Sequence, residues 1–212
     1  MNTLKTDFHY EEFMKDSKNR EAFQYAMFLG RKFFFEERHG LQVSAIATTL
    51  FDQLARIHHL GQDDRLFLMI GSLLHDIGSY VDYDNHHKHS RDIITESKFP
   101  LLSKDERAVV ANIARYHRKA EPQMKHEAFA SLGKKFRDKV VKLCSITRVA
   151  DALDREHVQK VKKINTSIER NSLILRIESP QRLVSEELAL AKKVGLFSRV
   201  FELKVKIQHV RI

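Results

Sequence analysis

The chain has 212 residues, 42% of them hydrophobic, with only seven Gly, three Pro and a single cysteine, Cys144. That describes one ordinary folded domain with a small appendage, and it excludes a disordered chain, an intramolecular disulfide and a bilayer-spanning segment. Lys and Arg number 37 against 28 Asp and Glu, a formal charge of +9 that attracts anions.

Residues 8–38 read as helical and are crowded with Phe23, Tyr25, Phe28, Phe33, Phe34 and Phe35, an aromatic face for the core or for a homodimer. The next segment sets His39, Val43, Ile46, Ala47, Leu50, Leu54 and Ile57 at three-to-four spacing, so His39 points inward with them. After the break at Gly61-Gln62-Asp63-Asp64, residues 66–77 are apolar nearly all round, as a central helix is, with His75 and Asp76 in its last turn and Gly78 as its stop. A polar loop over 82–85 leads through His86, His87 and His89 into a helix that Pro100 ends. Ser103 and Glu106 form a capping box for a helix that lines up Val109, Val110, Ile113, Ala114 and His117. A mobile charged loop is expected over 119–133, followed by a long helix whose stripe carries Val140, Cys144, Thr147 and Asp151. Past Asn165 the period shortens: Leu173, Leu175 and Ile177, then Leu203, Val205 and Ile207, alternate as two strands around a helix near 185–195. The chain therefore reads as mainly α, a helical domain over residues 1–164 with a small β-α-β subdomain over 165–212.

A single inward His is usually a core residue bonded to a backbone carbonyl. Here four separate segments each bring a His or Asp to an apolar stripe: His39, His75-Asp76, His117 and Asp151. Left unpaired in the core, each of these groups costs several kcal/mol, and one bound cation offsets all those costs together. Imidazole nitrogens with carboxylate oxygens suit Zn, Mn, Fe or Ni. Cys144, beside Val140 and Thr147, reads as a small core residue and not as a thiolate ligand.

A lone His, then Leu73-Leu74-His75-Asp76-Ile77-Gly78, then a distant Asp resemble the HD superfamily of metal-dependent phosphohydrolases. Three further stretches, Asn85-His86-His87-Lys88-His89-Ser90, Ala114-Arg115-Tyr116-His117-Arg118-Lys119 and Arg148-Val149-Ala150-Asp151-Ala152-Leu153-Asp154-Arg155, resemble the C-terminal HD region of exopolyphosphatase and guanosine pentaphosphate phosphohydrolase proteins. The likeness runs from about residue 20 to the C-terminus. It implies an HD-domain helical bundle with one or two divalent ions, Mn, Fe, Ni, Zn or Mg, whose primary ligands are His39, His75, Asp76 and Asp151. His117 and His87 are the implied additions for a second ion, with His86 and His89 as rivals to His87. The nucleophile this resemblance implies is a water activated by the cation, with Asp76 or Asp151 orienting it or taking its proton. Lys88, Arg118, Lys119 and Arg155 stand near these ligands along the chain and are either phosphate contacts or solvated charges.

The expected function is metal-dependent hydrolysis of a nucleotide, an alarmone or polyphosphate. Full-length exopolyphosphatases place their accepted catalytic site in an N-terminal actin-like module that residues 1–38 cannot supply, so activity is expected from the HD site. The alternative is a non-catalytic sensor of a polyphosphorylated ligand, and a third reading is an oligomerisation domain with the aromatic helix as a homodimer interface. Nucleic acid fits less well than a small phosphorylated molecule, because the basic residues are scattered and no aromatic strand offers a stacking platform. The N-terminus has no apolar run before a cleavage site, so a cytoplasmic location is expected, with no membrane partner.

Overall fold

The computed structural model describes residues 13–212. Helix α1 (Ser17–Lys32) starts where the Asp16 carboxylate accepts a hydrogen bond from Asn19 N at 2.9 Å. The single helix expected over 8–38 is broken at 33–36, and residues 8–12 of that expectation lie outside the described residues. The break follows from packing: the Phe35 ring folds back onto Gly30, where a Cβ would come within 2.7 Å of it, and Phe34 takes a left-handed φ of 51°.

Helix α2 (Glu37–Gln53) buries His39, Val43, Ile46, Ala47 and Leu50, the face expected of it, and a short turn α3 (Ala55–His58) follows. Helix α4 (Gln62–Leu73) is the centre of the bundle. Every residue from Asp64 to Leu73 is buried, and it packs on α2 and on two later helices, α6 (Lys104–Arg115) and α8 (Lys134–Ala152). Each large aliphatic side chain it buries contributes about 1.5–3 kcal/mol.

This helix stops at Leu73, earlier than the expected 77, so His75 and Asp76 lie in the turn beyond it, ahead of a 3-10 segment η1 (Ile77–Tyr80). Gly78 does more than stop a helix. A Cβ there would stand 2.2 Å from His86 O and 2.4 Å from Ser90 N, and Gly78 N donates to Ser90 Oγ at 2.9 Å. Only a bare backbone can come this close to helix α5 (His86–Glu96).

The capping box of α6 is present, with Ser103 N donating to Glu106 Oε2 at 2.8 Å and Glu106 N to Ser103 Oγ at 3.3 Å. The stretch 119–133 is not simply a charged loop: it contains the turn α7 (Glu127–Ala130), buries Phe129 and Leu132, and is tied to α6 by Asn112 Nδ2 donating to Ala128 O at 3.2 Å.

The C-terminal part holds three strands, β1 (Lys163–Glu169), β2 (Ser172–Ser179) and β3 (Lys204–Arg211), in the order β1-β2-β3. The parallel pair β2–β3 joined through helices α9 (Val184–Lys193) and α10 (Gly195–Phe201) is the expected β-α-β unit. Strand β1, antiparallel to β2 through a two-residue turn with Arg170 at φ 54°, is an addition to it. It has little alternation to reveal it, since Ile164 is its one buried residue. Helices α9 and α10 both pack on α8. No helix among the described residues is long and apolar enough to cross a membrane.

Gly78→Ala is expected to destabilise the protein by about 3 kcal/mol, since the added methyl meets backbone that cannot rotate away. Urea unfolding of the two proteins measures this, and a loss within 0.5 kcal/mol of zero, about that of a neutral surface change, would contradict the close approach.

Candidate metal centre

The ends of five elements meet at one place. His39 comes from the first turn of α2 and His86 opens α5, while Asp151 lies in the last turn of α8. His75 and His117 each stand one residue beyond the C-cap of a helix, after Leu74 for α4 and after Tyr116 for α6. The two helices end alike, their cap residues at φ −100°, ψ 11° and φ −106°, ψ 13°.

One local device recurs. His75 Nδ1 donates to Ser72 O at 2.7 Å, His117 Nδ1 to Ala114 O at 2.7 Å, and His86 Nδ1 to Tyr83 O at 2.6 Å, each a carbonyl three residues earlier. A carbonyl only accepts, so in all three rings the hydrogen is on Nδ1 and, in the neutral ring, Nε2 is a bare lone pair. His39 reaches the same state by donating from Nδ1 to Asp154 Oδ2 at 2.9 Å.

Those four lone pairs face one another. His39 Nε2 is 3.1 Å from His75 Nε2, and His86 Nε2 is 3.2 Å from His117 Nε2. Without positive charge between them, such contacts are repulsive. Two nitrogens bound at 2.0–2.1 Å to the same ion stand about 3 Å apart, so each pair has the spacing of one edge of a coordination sphere.

Asp76 touches both pairs. Its Oδ1 is 2.9 Å from His86 Nε2 and 3.2 Å from His117 Nε2, and its Oδ2 is 3.5 Å from His75 Nε2 and 3.9 Å from His39 Nε2. Buried Oδ1 has no aligned hydrogen-bond donor among the described residues, which leaves it free to accept from a bound group. Asp151 Oδ1 closes the first half of the centre, 3.7 Å from His39 Nε2 and 3.9 Å from His75 Nε2. Its other oxygen, Oδ2, pairs with Lys193 from α9. Among the described residues, His39-His75-Asp151, His75-Asp76-His117 and His39-Asp76-His157 are the groups whose donor atoms lie close enough to share an ion.

The electrostatics match a cation site. Burial holds His75 neutral, with its value down at about 3, and likewise lowers His117. For Asp151, burial works upward but Lys193 and the imidazoles outweigh it, and the carboxyl is held well below its usual range. Asp76 is also held low, the surrounding His75, His117 and His86 outweighing burial. His39 is the exception: burial pulls it down, and Asp154, Asp151 and Asp76 together raise it. The Asp76 side chain is 24% exposed against 8% or less for the other two halves' His39, His75, His117 and Asp151, so Asp76 marks the mouth.

The structure thus brings His39, His75, Asp76, His117 and Asp151 together, and of the three neighbouring histidines it is His86, and not the expected His87, that lies with them. His86 meets Asp76 and His117, because the Tyr83 carbonyl fixes its ring. His87, one residue along the helix and about 100° around it, is buried, contacts no carboxylate, and has an unpartnered Nδ1. Burial and the nearby Arg115 charge lower its value to about 3. His89 lies 4.0 Å from Asp82, away from these groups.

Of the four candidate phosphate contacts, Arg118 lies closest, its Nη1 3.3 Å from His86 Nε2. Lys119 Nζ donates to Asp84 O at 2.7 Å, while the Lys88 and Arg155 side chains are exposed and make no hydrogen bond or ion pair among the described residues. Cys144 is buried in the core, and burial pushes its thiol up to about 12.

Three contributors escaped the sequence reading. Asp154 and His157 follow Asp151 at three-residue steps, a spacing that was there to be read. The His157 ring stacks on His39 at 3.6 Å between centroids and 7° between planes, and its Nδ1 donates to Glu36 Oε2 at 2.7 Å. Lys193 comes from a distant helix and gives no local signal.

His75 and His87 titrate near 6.5 in an unfolded chain and near 3 when folded, so between those values the unfolded chain binds more protons. Metal-free protein should therefore lose stability as pH falls through that window. His39, whose value is raised, opposes this only with stability that fades as pH rises above about 6.5. Denaturant unfolding at steps from pH 7 to pH 4 reads the slope, and a flat or rising curve would contradict neutral burial.

Comparison with protein-family models gives a match to Ppx/GppA phosphatase, domain III, over residues 25–193. The matched span covers α2 to α9 and every residue of the centre described above. Since it takes in most of the sequence, the chain belongs to the Ppx/GppA phosphatase domain III family.

Proposed function

We propose that this protein is a metal-dependent phosphohydrolase of the HD type, whose His39, His75, Asp76, His86, His117 and Asp151 would hold one or two divalent ions. The observation that carries the reading is the pair of facing Nε2···Nε2 contacts, 3.1 and 3.2 Å, on either side of one carboxylate. His39, His75, Asp151 and Asp76 would hold the first ion, and His86, His117 and Asp76 the second. The donor set of imidazole nitrogens and carboxylates suits Mn, Fe, Ni or Zn better than Mg. Such ions, when bound, lower the pKa of water and neutralise charge on phosphoryl oxygens.

The chain's own residues supply the rest. Asp151 is turned by Lys193 so that Oδ1 faces the histidines, and the low value of its carboxyl keeps it ionised and able to orient a water through a hydrogen bond. The Arg118 guanidinium has no carboxylate partner among the described residues, and its Nη1 lies 3.3–3.4 Å from the His86 ring nitrogens. A planar cation left free beside the second half of the centre is suited to grip a phosphate through two parallel N–H donors. Family membership and the positive charge of the chain both favour a phosphorylated anion as substrate: a nucleotide, an alarmone or polyphosphate.

Asp76→Ala should abolish metal-dependent hydrolysis and leave the fold intact, with metal-free stability lowered, because the imidazoles that hold the carboxyl ionised lose their partner. Phosphate release from GTP and from tripolyphosphate, after loading with Mn, Fe, Ni or Zn, tests the first half, and thermal unfolding with chelator tests the second. Parent protein that binds these phosphates with every metal yet releases none would establish a sensor instead. Arg118→Ala should raise KM about tenfold or more with a smaller effect on kcat, the loss of a charge-assisted hydrogen bond being about 1.5–3 kcal/mol. Steady-state kinetics on the same substrates decide it.

A further inference from the structure

Most large apolar side chains of the protein are buried, but among the described residues four aromatic rings are well exposed: Phe28, packed beside Tyr25, and three on segments that flank the centre. Phe34 is 81% exposed, Tyr83 72% and Tyr80 59%. The Phe34 and Tyr80 rings are stacked, with centroids 5.7 Å apart and planes 20° apart, and Phe33 braces Tyr80 edge-on at 5.7 Å and 80°.

The position of Phe34 is costly twice over. It takes the left-handed place just after a helix, which glycine or asparagine normally fills, at φ 51°, and it holds a large ring in solvent. Bulky residues held in such backbone conformations cluster at ligand clamps and active sites.

Each ring is joined to the centre by a short path. The chain leaving Asp76, the one ligand with an exposed edge, runs through η1 directly to Tyr80. Tyr83 gives its carbonyl to His86 Nδ1, and its ring lies 5.8 Å from the His86 ring. Phe34 precedes by two residues Glu36, whose carboxylate holds His157 against His39. Arg118, the unpaired guanidinium, adjoins His86 as Tyr83 does. A ligand whose phosphates reach Arg118 and His86 has the Tyr83 ring beside it, with the Tyr80–Phe34 stack next along the chain from Asp76 and Tyr83.

We propose that Phe34, Tyr80 and Tyr83 are a stacking shelf for the nucleobase of a nucleotide substrate. The inference rests on the phosphohydrolase reading and adds to it the group that is recognised, a planar aromatic ring linked to phosphates. Ring-on-ring stacking accepts any base and adds affinity that base-free polyphosphate lacks. The shelf selects nucleotides over inorganic polyphosphate at a centre whose own ligands see only phosphate.

The test is calorimetric titration of the full Mn-loaded chain with two probes, the non-hydrolysable β,γ-imido analogue of GTP and inorganic tripolyphosphate. The parent protein, Phe34→Ala, Tyr80→Ala, Tyr83→Ala and the ring-preserving Tyr80→Phe are compared. The shelf requires nucleotide-analogue binding to weaken about 10- to 100-fold in the alanine variants, with tripolyphosphate within about twofold and Tyr80→Phe near the parent, as base–aromatic stacking is worth by alanine substitution. Equal loss for both probes, or no loss for the analogue, overturns it. Light scattering covers a second copy as occupant: variants that change molar mass and leave analogue binding alone would make the rings a contact between copies and overturn the shelf. Hydrolysis of GTP and tripolyphosphate by the parent separates the two readings. Hydrolysis of both with no preference in binding sinks the shelf alone, whereas preferred, ring-dependent binding without hydrolysis keeps the shelf and sinks the enzyme.

Discussion

A hydrogen bond from imidazole Nδ1 to the carbonyl three residues earlier does more here than anchor a side chain. It fixes the tautomer at His75, His86 and His117, and by doing so decides which nitrogen is left to bind. Because the bond is local, it forms within a single turn of chain and needs nothing from the rest of the fold. What the fold adds is convergence: helices α4 and α6 end with the same cap geometry, so the same turn is presented twice, from two directions, to one carboxylate. Asp154 performs the carbonyl's task for His39, where the helical backbone of α2 has no free acceptor.

That convergence sets conditions on packing. The central helix has to end before His75, and the chain has to turn at once so that Asp76 lies between the histidine pairs. The turn works because Gly78 lets the backbone lie against α5, which in turn fixes where His86 begins. The centre is thus placed by helix ends and not by helix faces. Ends are where backbone groups are left unsatisfied, and so where ring nitrogens find carbonyls to bind.

The helical class, the central helix, the capping box and the β-α-β unit were all legible, because each leaves a periodic or capping signal within one window of sequence. The inward positions of His39, His117 and Asp151 were legible for the same reason, as apolar stripes carry them. Three things were not. The choice of His86 over His87 depends on where a helix begins, and boundaries are the least determined part of any pattern. The early end of α4 is masked by apolar residues that continue past it. Strand β1 buries one residue, so there was no alternation to see. Lys193 depends on tertiary contact alone, as it reaches Asp151 from 42 residues away.

The Lys193 contact has a consequence for the order of events during synthesis. The residues around the centre begin at His39 and the last contact to one of them comes from Lys193, so nearly the whole chain has to emerge before the donor set is arranged. Earlier segments hold the histidines but not the carboxylate at its final orientation. Capture of the proposed cation would therefore be a late step, reserved for a chain that has already closed its bundle, and a nascent or misfolded chain would offer passing ions only scattered single donors.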